Sequence, residues 1–532
     1  MAADRAAPAP PVPRAPSAPS APSVLFPEGA DRPGTAPPEP DCFRDLNLDQ
    51  LVDALELCRP AYGLAPFYRA RPGDLRTVAH RQAVFRDLAE QPALADRLDG
   101  FGERMREVRD RLRRARAMRH RYQAADWSLE AVHAYTGACA GLARDLARAA
   151  PRSPALRAIA AYAASYVASA AFTALVRDAR RLQEQLDDIH YCLLITPGRV
   201  RVSAYEGQRD YGAQVLADFE RFRQGETKDH RSRFRSDEVM NQVEEAVLDR
   251  VALLYPDVFA ELERFRERHA DFLDPGITAF EREIQFYLAY RAFTAPLERS
   301  GLPFCLPEVL EGAKGDRELA AEGMFDLVLA DKLVREGTGV VLNDFRLSGP
   351  ERFLVVSGPN QGGKTTFARA FGQLHHVAAL GCPVPARRAR LLLCDGLFTH
   401  FEHGEHPDDP GGKLYDDLVR VRAVLERAAP GGVVVLNEVF TSTTLDDAVL
   451  LGTRTLGQFA DRGLIGVCVT FADELSRLGE ATVSMVAAVD PADPAVHTFR
   501  VGRGPADGLS HAVAVAERHG LTHDRLRARI RP

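Results

Sequence analysis

The chain has 532 residues, enough for two or three domains, each with its own core. Charged residues make up 27% and hydrophobic residues 46%, the balance of a soluble globular protein. A formal net charge of −6 excludes the global basic signature of many nucleic-acid binders, while a local basic surface stays open. The eight cysteines are scattered and form no CxxC pair. That pattern argues against a disulfide framework or a zinc site and fits reduced thiols in the cytoplasm. No uninterrupted apolar run reaches about 18 residues, so no membrane-spanning helix is expected. The N-terminus carries proline, alanine and serine where a signal peptide has an apolar core.

Residues 1–40 include "APAPPVPRAPSAPSAPS". Such a composition buries too little apolar surface to offset its ordering entropy, so a disordered tail is expected, with a docking peptide as the alternative. From 41 to 311 the chain reads as successive helices. Leu48, Leu51, Val52 and Leu55 share one helical face, and Val78, Val84, Phe85 and Leu88 another. "RMREVRDRLRRARAMRHRYQ" (104–123) is dense in arginine, but acidic residues interleave and the arginines surround the helix. A solvated helix with internal pairs competes with a phosphate-contacting one. "KDHRSRFR" places Lys228, Arg231, Arg233 and Arg235 just before a long helical stretch that starts near Ser236. They are candidate DNA-backbone contacts, with an exposed loop as the alternative. The single tryptophan, Trp127, is expected in the core of the helical body.

Near 312 the character changes to short β-branched runs: "GVVLND", "RFLVVSG", "ARLLLC", "GGVVVLN", "LIGVCVTF" and "VSMVAAV". Helical segments separate several of them, which predicts an α/β domain with a largely parallel sheet over 312–532. Within it, Gly358-Pro359-Asn360-Gln361-Gly362-Gly363-Lys364-Thr365-Thr366 fits the P-loop pattern between a strand and a helix. The glycines let backbone N–H groups turn toward phosphate oxygens, and the helix N-terminus adds positive potential. Lys364 is expected on the β and γ phosphates of ATP, and the Thr365 hydroxyl on Mg2+. "GGVVVLNEVF" supplies a second buried strand that ends in Asn437 and Glu438. Glu438 is the candidate catalytic acid that orients water. Asn437 occupies the usual aspartate position beside the metal and brings no charge. "THFEHGEH" groups His400, His403 and His406, a possible metal cluster in a loop. His375 and His376 are expected to pack or face solvent, and Cys382 and Cys394 to pack as small hydrophobes.

"GPNQGGKTT", "ALGCPVPARRARL" (379–391) and "GLSHAVAVAERHGL" (508–521) together resemble the ATPase of the MutS mismatch-repair family, a branch of the ABC-type ATPases. "FRDLNLDQLV" and "HRQAVFRDL" resemble the helical core of that family. The resemblance implies a multidomain protein: an all-α helical core with clamp-like arms, then an α/β P-loop ATPase domain. It implies an ATPase that clamps DNA as a homodimer. Asn360, Gly363, Lys364 and Thr365 would hold phosphates and metal. Gly411, Gly412 and Lys413 would occupy the place of the signature loop, and Ser442 to Asp446 the loop that crosses to the partner subunit.

Departures from the family pattern temper this. Asn437 replaces an aspartate, and Gly412 stands near a signature serine. Phe471 follows Thr470 where the family has a histidine, and a phenyl ring makes no hydrogen bond to phosphate. The stretch around Val340 offers no aromatic ring for the adenine. These changes predict slow hydrolysis. Before residue 42 there is only the proline-rich tail where the family has its mismatch-reading module with an F-x-E wedge, and the nuclease-like C-terminal tail of one paralogous group is not expected either, which predicts a core-only member. The alternative is a slow structural ATPase that dimerises on ATP and binds a protein; a membrane transporter's ATPase subunit is disfavoured by the long helical body.

Overall fold

A computed structural model describes residues 21–30, 39–208, 240–312, 318–394, 396–401, 412–490, 496–506 and 520–529. Contacts group the chain into two compact units. One comprises 1–95, 151–159 and 282–532, the other 96–150 and 160–281. Each is discontinuous in sequence.

In the first unit the apolar spacing does what helical periodicity requires. Helix Leu48–Cys58 buries Leu48, Leu51, Val52 and Leu55. Helix Leu75–Glu90 is capped by Asp74, whose carboxylate accepts the Thr77 N–H at 2.7 Å. It buries Val78, Val84, Phe85 and Leu88, and with them Arg81, which is only 1% exposed. A buried guanidinium needs acceptors. Arg81 donates to the Leu25 carbonyl at 3.1 Å and to the Leu380 carbonyl at 3.2 Å.

Residues 23–26 therefore differ from the tail expected over 1–40. Val24 and Leu25 are fully buried. The Glu283 carboxylate accepts the Ser23 hydroxyl at 2.6 Å and the Val24 N–H at 2.9 Å, and the Tyr287 hydroxyl donates to the Val24 carbonyl at 2.5 Å. The proline-rich average hid three consecutive apolar residues, Val24, Leu25 and Phe26, that find a prepared groove.

The same unit holds two sheets. A four-stranded sheet has the order Glu308–Leu310, Arg388–Leu392, Leu319–Met324, Asn343–Leu347. A six-stranded sheet runs His497–Arg503, Thr482–Val489, Phe353–Ser357, Ile465–Val469, Val433–Asn437, Leu397–Phe401. All neighbours in it are parallel except the first pair. The central strands are buried along their whole length, which explains their unbroken β-branched runs. "GVVLND" is an exception, since its strand starts only at Asn343. Strand Leu397–Phe401 was masked in the sequence by its polar Thr399 and His400.

The second unit is helical, with an antiparallel hairpin of Tyr191–Thr196 and Arg199–Ala204. Tyr122, Leu129, Val132, Leu175, Leu182, Phe259 and Phe265 form its core. The long helical stretch breaks at Tyr255 into Gln242–Leu254 and Pro256–Arg268, because a proline at the first position starts a new helix. Trp127 is half-buried, with the Arg114 guanidinium 5.1 Å over its ring, and is not the core residue expected. The arginine-rich helix is laced with ion pairs: Arg111 meets Glu107 at 2.9 Å, and Arg109 and Arg113 pair with Glu281 and Asp110. Among the described residues no single helix is long and apolar enough to cross a membrane.

Candidate nucleotide site

The strand Phe353–Ser357 ends at the glycine-rich turn, and helix Lys364–Ala379 begins with Gly363 as its N-cap. Gly358 and Gly363 have φ of +119° and +92°, a region that favours glycine. A Cβ on Gly358 would also lie 3.1 Å from the Ala487 backbone. The turn is thus pressed against the neighbouring strand.

Lys364 is buried at 4% exposure. Its Nζ donates to the Gly358 carbonyl at 2.7 Å, the Pro359 carbonyl at 3.1 Å and the Asn360 amide oxygen at 3.4 Å. The Phe471 ring stands 4.7 Å from the same nitrogen. So the residue in the switch position is a cation–π neighbour of the lysine. Burial lowers the Lys364 pKa and the nearby charge of Glu438 opposes that shift.

Asn437 and Glu438 end the strand Val433–Asn437, two sheet positions from the phosphate loop. The Thr365 hydroxyl donates to the Asn437 amide oxygen at 2.9 Å. Glu438 sits at φ +57°, and Phe440 two residues on at φ +64°. Left-handed backbone at two non-glycine residues marks a loop held in place by its surroundings. The Glu438 N–H is anchored on the Val469 carbonyl at 2.9 Å.

These residues open into a cleft of about 640 Å³. Part of its lining is polar, with Asn360, Gln361, Lys364, Thr365, Thr366 and Glu438, and part is apolar, with Leu329, Leu333, Val340, Val341 and Phe499. Phe499 is an aromatic ring in this lining, next to Gly363, where the sequence around Val340 has none. It lies on an antiparallel edge strand 159 residues away, at φ +57°, and Asn343 binds that strand by donating to the Phe499 carbonyl at 3.2 Å and accepting the Val501 N–H at 2.7 Å. Its only sequence signal is an apolar residue in a polar strand.

Gly412, at φ +70°, caps helix Lys413–Arg427. Ser442 and Asp446 are exposed around the start of helix Leu445–Asp461, which Thr444 caps. Gly411, His403, His406, Lys228, Arg231, Arg233 and Arg235 lie outside the described residues. His400 is not on an exposed loop as expected: it is 2% exposed on a strand, with Asp417 beside it. Among the described residues no group of three or more His, Cys, Asp or Glu side chains forms a metal cluster. His375 and His376 are buried in the phosphate-loop helix. Desolvation lowers their pKa to about 4 and about 3.

Residues 354–527 match the family model for MutS domain V. The chain is 27% identical over 234 residues to the DNA mismatch repair protein MutS of Shouchella clausii, covering 43% of this chain and 26% of that protein. It is 32% identical over 193 residues to the DNA mismatch repair protein MutS of Thermus aquaticus, covering 36% and 23%. It is 26% identical over 156 residues to the DNA mismatch repair protein Msh3 of Mus musculus, covering 29% and 14%. The chain thus spans about a quarter or less of the length of these relatives. The strand, glycine turn, buried lysine and acid-bearing second strand lie in one cleft, and the stretch that holds them is the stretch that is similar to MutS domain V.

Proposed function

We propose that this protein binds and hydrolyses ATP with magnesium and uses that cycle to grip DNA as a homodimer. The observation that carries the nucleotide reading is the link between the two strands: Thr365, at the head of the phosphate-loop helix, bonded to Asn437, next to Glu438. Phosphates bind at the polar lining of the cleft, where Lys364 exchanges backbone carbonyls for phosphate oxygens. The base rests on the apolar lining of Phe499, Val340 and Val341. Glu438 orients the attacking water. Magnesium keeps much of its water shell and needs few protein donors. The Thr365 hydroxyl and the Asn437 amide oxygen fit such a role, and the ion supplies charge neutralisation on the phosphates. Asn437 contributes no charge, which supports slow turnover.

The division of labour follows the sequence reading: a helical body over about 41–311 with clamp-like arms, and the ATPase over 312–532. Gly411, Gly412, Lys413, Ser442 and Asp446 form the loops that reach the second copy. Tyr415, Leu445, Leu450 and Phe471 are at least half exposed on or near these loops, which supports a partner there. DNA contact is assigned to Lys228, Arg231, Arg233 and Arg235. The test is binding to matched, mismatched and branched duplexes at fixed salt, without nucleotide, with ADP and with a slowly hydrolysed ATP analogue. A nucleotide-dependent preference for one structure is expected. A second reading, a slow structural ATPase that holds a protein, is favoured by Asn437 and by Phe471 beside Lys364. Weak binding that ignores nucleotide, unchanged by reversing the four basic charges, supports it and sinks the DNA reading.

A further inference from the structure

The acid-bearing loop is tied to a helix that contributes nothing else to the cleft. Asp417, in the second turn of helix Lys413–Arg427, is 8% exposed. Its Oδ2 accepts the Phe440 N–H at 3.1 Å. Its Oδ1 lies 3.0 Å from His400 Nε2, a close approach without hydrogen-bond alignment. Phe440 itself is 2% exposed and packs among Val421, Val424 and Leu436. The loop from Glu438 to Phe440 carries two left-handed residues, and such backbone persists only where its surroundings over-determine it. Three restraints act on it: the Glu438 N–H on Val469, the Phe440 ring in the core, and the Phe440 N–H on Asp417. The first two would hold a loop of several shapes. The third fixes the Val439–Phe440 peptide, one residue beyond Glu438, and so restricts the backbone that presents its carboxylate.

We infer that Asp417 is a positioning residue for Glu438, holding the acid's loop through the Phe440 N–H, in a buried setting beside His400. The inference rests on the reading of Glu438 as the hydrolytic acid. It does not involve the phosphate loop, so nucleotide affinity is independent of it.

The experiment compares full-length Asp417→Leu, Asp417→Asn, Glu438→Gln and Val421→Ala with the parent. ATP turnover, affinity for a fluorescent ATP analogue, and amide exchange of the peptide spanning 437–441 are measured on each. Asp417→Leu removes the acceptor and is expected to lower turnover about 100-fold, the scale of a misplaced catalytic group. It should leave analogue affinity within about twofold and speed exchange at 437–441. Asp417→Asn keeps an acceptor for the Phe440 N–H and is expected to recover at least about tenfold over the leucine variant. Val421→Ala loosens the packing around Phe440 but keeps its hydrogen-bond acceptor, and should lower turnover far less than Asp417→Leu does. If Asp417→Leu yields little folded protein, Asp417→Ala takes its place with the same expectations. Parent-like turnover in the acceptor-less variant, or an equal loss in Val421→Ala, overturns the inference. Turnover that survives Glu438→Gln, or no turnover in the parent, overturns the acid assignment beneath it.

Discussion

Lys364, at the head of its helix, and Glu438, just past the end of its strand, line one cleft, and each is held by backbone groups more than by side chains. Lys364 lies on the carbonyls of its own loop, at 2.7 and 3.1 Å. Nucleotide entry thus replaces neutral acceptors with charged ones, an exchange that favours the bound state. Replacing Glu438 by Gln keeps size and loop and removes the charge. Analogue binding is expected to stay within about twofold while turnover falls at least about 100-fold, the scale of a lost general base. Phe499 lines the same cleft. Phe499→Ala is expected to weaken ATP-analogue binding by about two- to tenfold, the value of an aromatic contact. A titration that shows no change would remove the ring from the base site. Phe471 reads in sequence as a defect; the structure shows it as a neighbour of the lysine.

The phosphate-loop helix is buried almost all round, and that burial sets the protein's response to acid. His376 Nε2 donates to the Tyr68 carbonyl and His375 Nδ1 to the Phe371 carbonyl, each at 2.9 Å, so both rings sit neutral. Their pKa values fall from 6.5 to about 4 and about 3 because desolvation penalises the cation. Between pH 6.5 and those values the unfolded chain takes up protons that the folded chain refuses. The stability is present in full above about pH 6.5 and is lost as pH falls, by about 1.4 kcal/mol per unit for each ring. Urea midpoints from pH 7 to 4.5 should show the decline, and His376→Gln should flatten it. At the N-terminal strap, Leu25 is fully buried against Arg81's helix. Leu25→Ala is expected to cost about 2–5 kcal/mol of unfolding free energy. A tail residue would cost nothing, so the same urea titration separates the two.

At the scale of the whole molecule, Tyr415, Leu445, Leu450 and Phe471 are large apolar side chains left at least half exposed. The Glu438→Gln variant with magnesium and ATP is expected to double its mass by light scattering, and Leu445→Asp to return it to the monomer. A mass independent of nucleotide would separate dimerisation from the ATP cycle. Much of the candidate nucleotide site was legible without a structure. A phosphate loop is a local object, fixed by glycines at set spacing between a strand and a helix, and fully buried strands announce themselves as β-branched runs. The apolar faces of Leu48–Cys58 and Leu75–Glu90 followed from periodicity for the same reason. The match over residues 354–527 lies where those local signals are densest. Tertiary structure alone decided the rest. It brought Phe499 to Val340, Val24 and Leu25 to Glu283 and Arg81, and Asp417 to the loop of Glu438. Each of these contacts joins residues that no short-range periodicity relates. They form because burying an apolar side chain such as Leu25, a charged guanidinium or a strained peptide requires a specific neighbour, and only the packed chain determines which residue that is.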